Sequence, residues 1–341
     1  MARNCTVLPW RPEELQQRRY DAFIAAVGYE QRARFVAETK RPQAGQRIAP
    51  SFSRQKVLAY GDNLQWYREA GFEVNEMGDE QFASWVWQWL HDVRPKNGDQ
   101  LSLCVDVSSM SRFRIASLVA AVHRLSGTLP IEVDFVYALA RFTPPPESIE
   151  PIVTAEPVVA EFSGWSDSPD LPCSAIVGIG YEPDKAAGAI EYVEPARVWA
   201  IEPMGGDKRY GEAIQRSNEG FWTLASQSQT IRYRVDCPFD TFVTLESLTY
   251  GAGRSTRPVL IPLGPKVFTV CCLMVACVQY PRVAVWRVSS GPFSVPVDRI
   301  ANGRICGLRA RFERRDETTA TTEAAFAPAL RKADVPELGL T

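Results

Sequence analysis

A tripeptide whose side chains could bind a nucleotide occurs once in each half of this 341-residue chain. The two copies follow short apolar runs and consist of Gly28, Tyr29 and Glu30, then Gly180, Tyr181 and Glu182. A tyrosine ring offers a flat face on which a base can stack. A glutamate can accept hydrogen bonds from amino or hydroxyl groups. The alternative interpretation is that both copies are structural links at the start of the next helix.

A polar junction follows another apolar run of the first half, between Asp106 and Arg112. Ser108 and Ser109 are small, so backbone N–H groups and a helix N-terminus would be free to meet an anion. Arg112 could hold a phosphate through two hydrogen bonds. Asp106 ends a buried strand, so its carboxylate needs a partner. It either accepts from a ribose hydroxyl or caps the next helix.

The second half has a counterpart of this junction in Gly264 and Lys266, a tight turn followed by a cation in the first helical turn. The helix dipole opposes a cation there, so Lys266 favours an anionic partner. Arg112 and Lys266 hold matching positions, and we expect both to contact a phosphorylated ligand. The other basic residues behind strand ends are interpreted as solvated: Arg32, Arg34, Arg114, Lys185, Lys208, Arg209, Arg254 and Arg257.

The elements that must position these side chains alternate between strands and helices. After the strand that ends at the first tripeptide, we predict strands at 56–61, 72–77, 101–107 and 131–138 and helices at 62–70, 79–93 and 114–125. After the second tripeptide, we predict strands at 197–201, 230–235, 258–263 and 283–288 and helices at 208–223, 239–248 and 267–278. Such alternation is typical of a parallel sheet covered by helices, which binds ligands at the carboxyl ends of its strands.

We therefore predict an α/β fold of two tandem Rossmann-like parallel-sheet domains related by internal duplication, with their rims facing one cleft. The first domain spans 1–145, a linker 146–172, the second domain 173–300, and a tail that is partly mobile or docks on a partner 301–341. Glu30 should correspond to Glu182, and Ser109 to the stretch 262–266. The alternative is two unrelated α/β domains with a chance match.

Bulk properties argue against several classes of function. A net charge of −2 gives no support to coating of a polyanion. With two histidines, His91 and His123, and no C-x-x-C pair among eight cysteines, neither a zinc site nor a protease-type triad is expected. We predict no metal and no cofactor. No signal peptide or membrane-spanning run is recognised, so we expect a cytoplasmic protein with reduced thiols and no membrane partner.

Motifs at the ends of the first and fourth strands of a Rossmann-like domain, paired about a two-fold axis, resemble the CARF domains of CRISPR defence. The segment from Asp106 to Ser109 stands where CARF domains often carry Asp-x-Thr-Gly-Gly. The fused form is similar to the SAVED domains of related antiphage systems. The resemblance covers roughly residues 20–300 and is one of architecture. It implies a sensor of cyclic oligonucleotides, and some CARF members also cleave their ligand.

Three functions are compatible with the sequence. The first is a nucleotide-binding sensor or adaptor of a bacterial defence-type system, whose effector is a separate chain. The second is an enzyme acting on a nucleotide or nucleic acid, with Glu30, Asp106, Arg112 and Glu182 as catalytic candidates. The third is a structural scaffold subunit, suggested by the Trp-rich segment. In a helix Trp85 and Trp89 share a face and Trp87 points elsewhere.

Overall fold

The computed structural model describes residues 5–93, 95, 100–146, 149–225 and 230–313. The first half contains β1 (Cys5–Pro9), α1 (Glu14–Gln17), β2 (Arg19–Ile24), β3 (Gln43–Ile48), β4 (Ser51–Phe52), α2 (Tyr60–Glu69), β5 (Glu76–Met77), α3 (Asp79–Asp92), β6 (Leu101–Asp106), α4 (Arg112–Leu125) and β7 (Ile131–Ala140). The remaining elements are β8 (Thr154–Pro157), β9 (Cys173–Gly178), α5 (Lys185–Val193), β10 (Arg197–Met204), α6 (Lys208–Ser217), α7 (Glu219–Leu224), β11 (Thr230–Arg234), α8 (Pro238–Ala252), β12 (Arg257–Pro262), α9 (Lys266–Val278), β13 (Ala284–Ser289) and β14 (Ala301–Phe312).

Two six-stranded sheets organise the fold. The first has the order β1-β14-β7-β6-β2-β3, and the second has the order β11-β10-β9-β12-β13-β8. Four neighbouring strands of the first sheet and five of the second are parallel. The order β7-β6-β2-β3 repeats as β13-β12-β9-β10, with the tripeptide strands β2 and β9 inside each sheet. The predicted α/β class with two mostly parallel sheets is confirmed. The internal duplication stays a prediction, which the shared strand order supports.

The two halves share a core built around α4 and α9. Both helices are apolar on almost all sides, and α9 is buried without a break from Val267 to Cys277. A helix that is apolar all round must be covered on every face. One buried cluster accordingly joins residues of both halves, among them Leu118 and Val270. In the described part of the chain, no helix combines the length and the apolar character needed to cross a membrane.

The strand predicted at 56–61 is wrong. This segment forms a turn and the start of α2, with Leu58 at a φ of 53° and 57% exposed. The strand that pairs with β2 is β3, whose side chains are mostly exposed because it lies at the edge of the first sheet. A half-covered edge strand lacks the apolar run that marks a central parallel strand.

The predicted domain boundary at residue 301 is corrected by β14. This strand pairs with β7 and with β1, so residues 301–312 belong to the first sheet. Two of its arginines also pair with β7: Arg309 donates to Asp134 at 2.6 and 2.8 Å, and Arg311 donates to Glu132 at 3.1 and 2.8 Å. The rest of the predicted tail, from residue 314, lies outside the described residues. Within the predicted linker, β8 pairs with β13 and extends the second sheet.

Candidate functional site

A cleft of about 1080 Å³ lies between the two halves, at the carboxyl ends of their parallel strands. Its basic residues are Arg32, Arg112, Arg141, Lys185, Arg209, Arg234, Lys266, Arg299 and Arg304. Its acidic residues are Glu30, Glu150, Glu182, Asp207 and Asp236, and its aromatic residues are Tyr29, Tyr137, Phe142, Tyr181 and Tyr210. Basic residues outnumber acidic ones, so the lining favours an anion over a cation.

Eight of the twelve residues predicted for the site line this cleft: Tyr29, Glu30, Arg112, Gly180, Tyr181, Glu182, Gly264 and Lys266. The other four, Gly28, Asp106, Ser108 and Ser109, are buried outside its lining. The fold therefore brings both tripeptides and both helix-starting cations together, but it turns the Asp-Ser-Ser junction inward.

A buried asparagine holds each tripeptide loop. Asn63 on α2 donates to the carbonyls of Gly28 and Glu30, both at 2.9 Å. Asn218, at the break between α6 and α7, donates to the carbonyl of Gly180 at 2.7 Å. Asn63 follows β3 and Asn218 follows β10, the strands that pair with β2 and β9, so the two asparagines come from corresponding helical segments. The sequence offered Asn63 as a plausible helix cap and gave Asn218 no role, because a buried amide has no motif until its loop partner is known.

The tripeptide glycines allow the first-strand loop to touch the fourth-strand loop. A Cβ at Gly28 would lie 1.9 Å from Ser109 Oγ, and one at Gly180 would lie 2.9 Å from the nitrogen of Gly264. Gly264 itself has a φ of +68°, a backbone angle that residues with a side chain rarely adopt. Ser109 and Gly264 thus make corresponding contacts with the tripeptide glycine of their own half, while the superposition of 109 on 262–266 stays a prediction. These glycines have a structural reason to be there, so the tripeptide match alone does not identify a ligand site.

The floor of the cleft carries a cluster of buried charges. Glu30 is 4% exposed and pairs with Arg32, and its other oxygen lies 3.3 Å from Lys266 Nζ. Burial alone would raise the pKa of Glu30, but the charges of Arg32 and Lys266 hold it at about 2. Burial lowers the pKa of Lys266 to about 8, against the opposing charge of Glu30. Glu30 is therefore an anion at neutral pH.

Arg32 was interpreted as solvated, and this interpretation is wrong. The side chain is 3% exposed and also donates to Tyr137 Oη at 3.0 Å and to the carbonyl of Ala138 at 2.8 Å. Arg114 is likewise fully buried, donating to Asp79 at 2.9 Å. Both guanidinium groups are ordered by acceptors that distant segments bring to them.

The two helix-starting cations cross the interface between the halves reciprocally. Arg112 opens α4 in the first half and donates to the carbonyl of Gly264 in the second half at 2.8 Å. Lys266 opens α9 in the second half and donates to the carbonyl of Ser108 in the first half at 3.0 Å. Each cation thus meets a carbonyl in the loop that precedes the other cation, which is the pattern of an approximate two-fold relation. The Nε of Arg112 is buried and has no hydrogen-bond partner among the described residues.

Asp106 neither lines the cleft nor caps α4. One carboxylate oxygen accepts from the backbone N–H and the hydroxyl of Ser108, and Ser111 caps the helix instead. The second oxygen is buried with no partner among the described residues. Burial raises the pKa of Asp106 to about 6, against the hydrogen bonds from Ser108. Asp106 thus takes neither predicted role, ligand contact or helix cap; it accepts hydrogen bonds from Ser108 within the same loop.

An aromatic wall lines the second-half side of the cleft. The rings of Tyr181 and Tyr210 have centroids 6.0 Å apart, and Phe142 meets Tyr210 edge-on at 5.1 Å. The guanidinium of Arg299 lies 5.2 Å from the Tyr181 ring and donates to its hydroxyl. Sequence reasoning missed Arg299, Tyr210 and Phe142. Arg299 lies just before β14, Tyr210 lies on α6 and Phe142 follows β7, so no shared sequence motif links them.

Metal, acid–base and thiol chemistry would need clusters of carboxylates, histidines or reactive cysteines at the cleft. No cluster of three or more His, Cys, Asp and Glu residues there could hold a metal ion. His91 and His123 lie on α3 and α4 and do not line the cleft. All eight cysteines are free thiols, and burial raises the pKa of Cys271, Cys272 and Cys277 well above the usual range.

Comparison with known protein families finds no family model that matches the chain. Comparison with curated proteins finds no match either.

Proposed function

We propose that this protein is a sensor that binds a phosphorylated nucleotide in the cleft between its two halves. The observation that carries the proposal is the lining of this cleft, which combines more basic than acidic residues with a wall of aromatic rings. Cations meet phosphate oxygens and flat rings stack on bases, so the two components together fit a nucleotide better than either fits alone.

Two cations are best placed for the phosphate. Arg112 uses Nη2 on the Gly264 carbonyl, and within the described residues no hydrogen bond engages its Nη1. Arg141 is exposed at the cleft, and its side chain has no ion pair within the described ranges. The nearby start of α9 has no side-chain cap, so its first N–H groups add positive potential. Lys266 is already engaged by Glu30 and Ser108 and contributes less.

Sensing is favoured over catalysis because the cleft offers few groups that could move a proton. A general base must be near hydrogen-bond reach of its substrate and have a suitable pKa. Glu30 is held ionised by two cations, with its pKa at about 2. Asp106 has a more suitable pKa, about 6, but lies outside the cleft lining. Binding without turnover is therefore the expected behaviour.

A ligand between the halves would act on the reciprocal contacts that join them. If a phosphate takes over Arg112, the carbonyl of Gly264 loses its donor and the two rims rearrange. A separate effector protein that reads this change, and a place in a bacterial defence-type system, rest on the resemblance to CARF and SAVED domains alone. A nucleic acid is a further partner class that the same basic lining admits.

The scaffold alternative receives less support from the Trp-rich segment. Trp85 and Trp89 stack on each other on α3 with centroids 5.8 Å apart, and Trp87 packs on His91 and beside Arg124. All three rings are half-buried, so they offer little open apolar surface.

Native mass spectrometry of the freshly purified chain, followed by calorimetry with nucleoside monophosphates and cyclic dinucleotides, tests the proposal. Arg112→Ala and Arg141→Ala should each weaken binding by about 1–3 kcal/mol, the range for charge-assisted hydrogen bonds. Arg124→Ala is the matched control, because it removes an exposed arginine outside the cleft lining. Equal affinities in all three variants would refute the site. Nucleotide products formed during incubation with Mg²⁺ would refute binding without turnover.

A further inference from the structure

The two tripeptide glutamates differ in their surroundings although they hold equivalent sequence positions. Glu30 is buried and neutralised by Arg32 and Lys266. Glu182 is half-exposed in the cleft lining, and within the described ranges its carboxylate has no hydrogen bond or ion pair. The lining of the cleft is therefore unsymmetrical at the residue where the two halves are most alike.

Two differences between the halves, one in sequence and one in contacts, account for this. The position of Arg32, two residues after the glutamate, is taken in the second half by Asp184, which is exposed. The two-fold counterpart of the Lys266–Glu30 pair would be a contact from Arg112 to Glu182. Arg112 instead donates to the carbonyl of Gly264. Glu182 thus lacks both of the cations that neutralise Glu30.

The free carboxylate lies close to the backbone of the cleft wall. Its Oε2 sits 2.0 Å from where a Cβ of Gly180 would be, so the carboxylate folds back over that glycine. The backbone nitrogen of Gly264 lies 2.9 Å from the same Cβ position, so the carboxylate and the Gly264 turn meet on one side of Gly180. The backbone rim thus carries one uncompensated negative charge in a cleft whose lining is otherwise rich in cations.

An unpaired carboxylate repels the phosphates of a ligand unless the ligand offers it hydrogen-bond donors. Carboxylate oxygens only accept, and two adjacent donors satisfy both of them at once. In a nucleotide, such a pair exists at the N1–H and 2-amino edge of guanine and at the 2′,3′-diol of ribose. Adenine presents one amino group beside an acceptor, which suits an amide better than a carboxylate.

We infer that Glu182 is a specificity-determining residue that accepts two adjacent donors from the ligand, and that the ligand is unsymmetrical at its two ends. The inference rests on the proposed nucleotide-binding function. A ligand with two identical faces would present the same donors to Glu30, whose oxygens are already occupied by Arg32 and Lys266. One end of the ligand therefore carries the donor pair, and the other end meets the neutralised half.

Calorimetry of the full chain with GMP, IMP, AMP and 2′-deoxy-GMP tests this inference. If guanine supplies the donors, loss of the 2-amino group in IMP should weaken binding to the wild-type chain about 10-fold or more. If the diol supplies them, 2′-deoxy-GMP should show that loss instead. Glu182→Gln and Glu182→Ala should reduce whichever preference exists to within about two-fold, since the amide replaces one acceptor by a donor. Neither variant should lower the melting temperature, because no described residue is bonded to this carboxylate.

Glu191→Gln is the matched control: it removes the same charge from an exposed glutamate on α5, outside the cleft lining. It should keep the wild-type ranking of the four nucleotides. Binding by the wild-type chain with a ranking unchanged in both Glu182 variants would overturn the role of Glu182 and leave the nucleotide site intact. Failure of the wild-type chain to bind any of the four at millimolar concentration would count against the nucleotide site itself.

Discussion

Replacement of Glu30 by glutamine should destabilise the native chain strongly at neutral pH and much less in acid. The carboxylate is 4% exposed and lies between Arg32 and Lys266. Glutamine has nearly the same shape and keeps one oxygen as an acceptor, so the main change is the loss of a negative charge. The buried Arg32 and the half-buried Lys266 would then have no opposite charge between them, which is costly in a poorly hydrated site.

The magnitude follows from the pKa of Glu30, which folding lowers from an ordinary 4.5 to about 2. Each tenfold change in an acid dissociation constant corresponds to about 1.4 kcal/mol, so the ionised carboxylate stabilises the native state by about 3 kcal/mol. Because the native pKa is lower, this contribution is complete above pH 4.5 and is lost as the pH falls toward 2. We expect Glu30→Gln to cost about 3 kcal/mol at pH 7.

Urea unfolding followed by the fluorescence of the nine tryptophans measures this difference at pH 7, 5, 4 and 3. The gap between the wild-type chain and Glu30→Gln should narrow steadily below pH 4.5. Glu38→Gln is the control: it removes a half-exposed ion pair with Arg34 on the same segment and should cost under about 0.5 kcal/mol. A loss below 1 kcal/mol at pH 7, or a loss independent of pH, would refute the assignment of Glu30 as the buried counter-charge.

The remaining predictions concern the loops that frame the cleft. Burial raises the pKa of Asp106 from 3.8 to about 6, so this group lowers stability as the pH rises from 3.8 to about 6, and the loss is complete above that. Asp106→Asn should therefore stabilise the chain by about 1–2 kcal/mol at pH 7 and by less at pH 5. Urea unfolding at the two pH values checks this, and a destabilised variant at pH 7 would contradict it. Gly180→Ala should cost about 1–3 kcal/mol, because its Cβ would lie 2.9 Å from the nitrogen of Gly264. Gly251→Ala, inside α8 with no atom within 4 Å of the new Cβ, should instead stabilise by about 0.5–1 kcal/mol, and equal melting temperatures for the two glycine variants would contradict both expectations.

The sequence by itself determined the class of fold and the elements at its centre. Inner strands such as β6 and β12, and helices such as α4 and α9, are covered on most sides, so their residues are apolar in runs that the sequence displays directly. Local chemistry also located the tripeptide loops and both helix-starting cations at strand ends, where the fold brings them to one cleft.

Tertiary structure decided which polar segment forms an edge strand and which distant segment completes the first sheet. The polar segment β3 forms a strand because it pairs with β2. The strand β14 is held in the first sheet partly because its arginines donate to Asp134 and Glu132 on β7. Sequence patterns report how buried a residue is along one element, whereas an edge strand and a distant ion pair depend on partners far away in the chain.

The same distinction applies to the site. Arg32 and Arg112 look alike in the sequence, as basic residues behind a strand end, yet Arg32 is fully committed to Glu30 and Tyr137 while Arg112 keeps a nitrogen without a partner among the described residues. Glu30 and Glu182 are likewise equivalent in their tripeptides, and only the packed structure gives one of them two cations and the other none. The charge of a side chain is set by its residue type, but whether that charge is available to a ligand depends on the groups that folding places within a few ångströms of it.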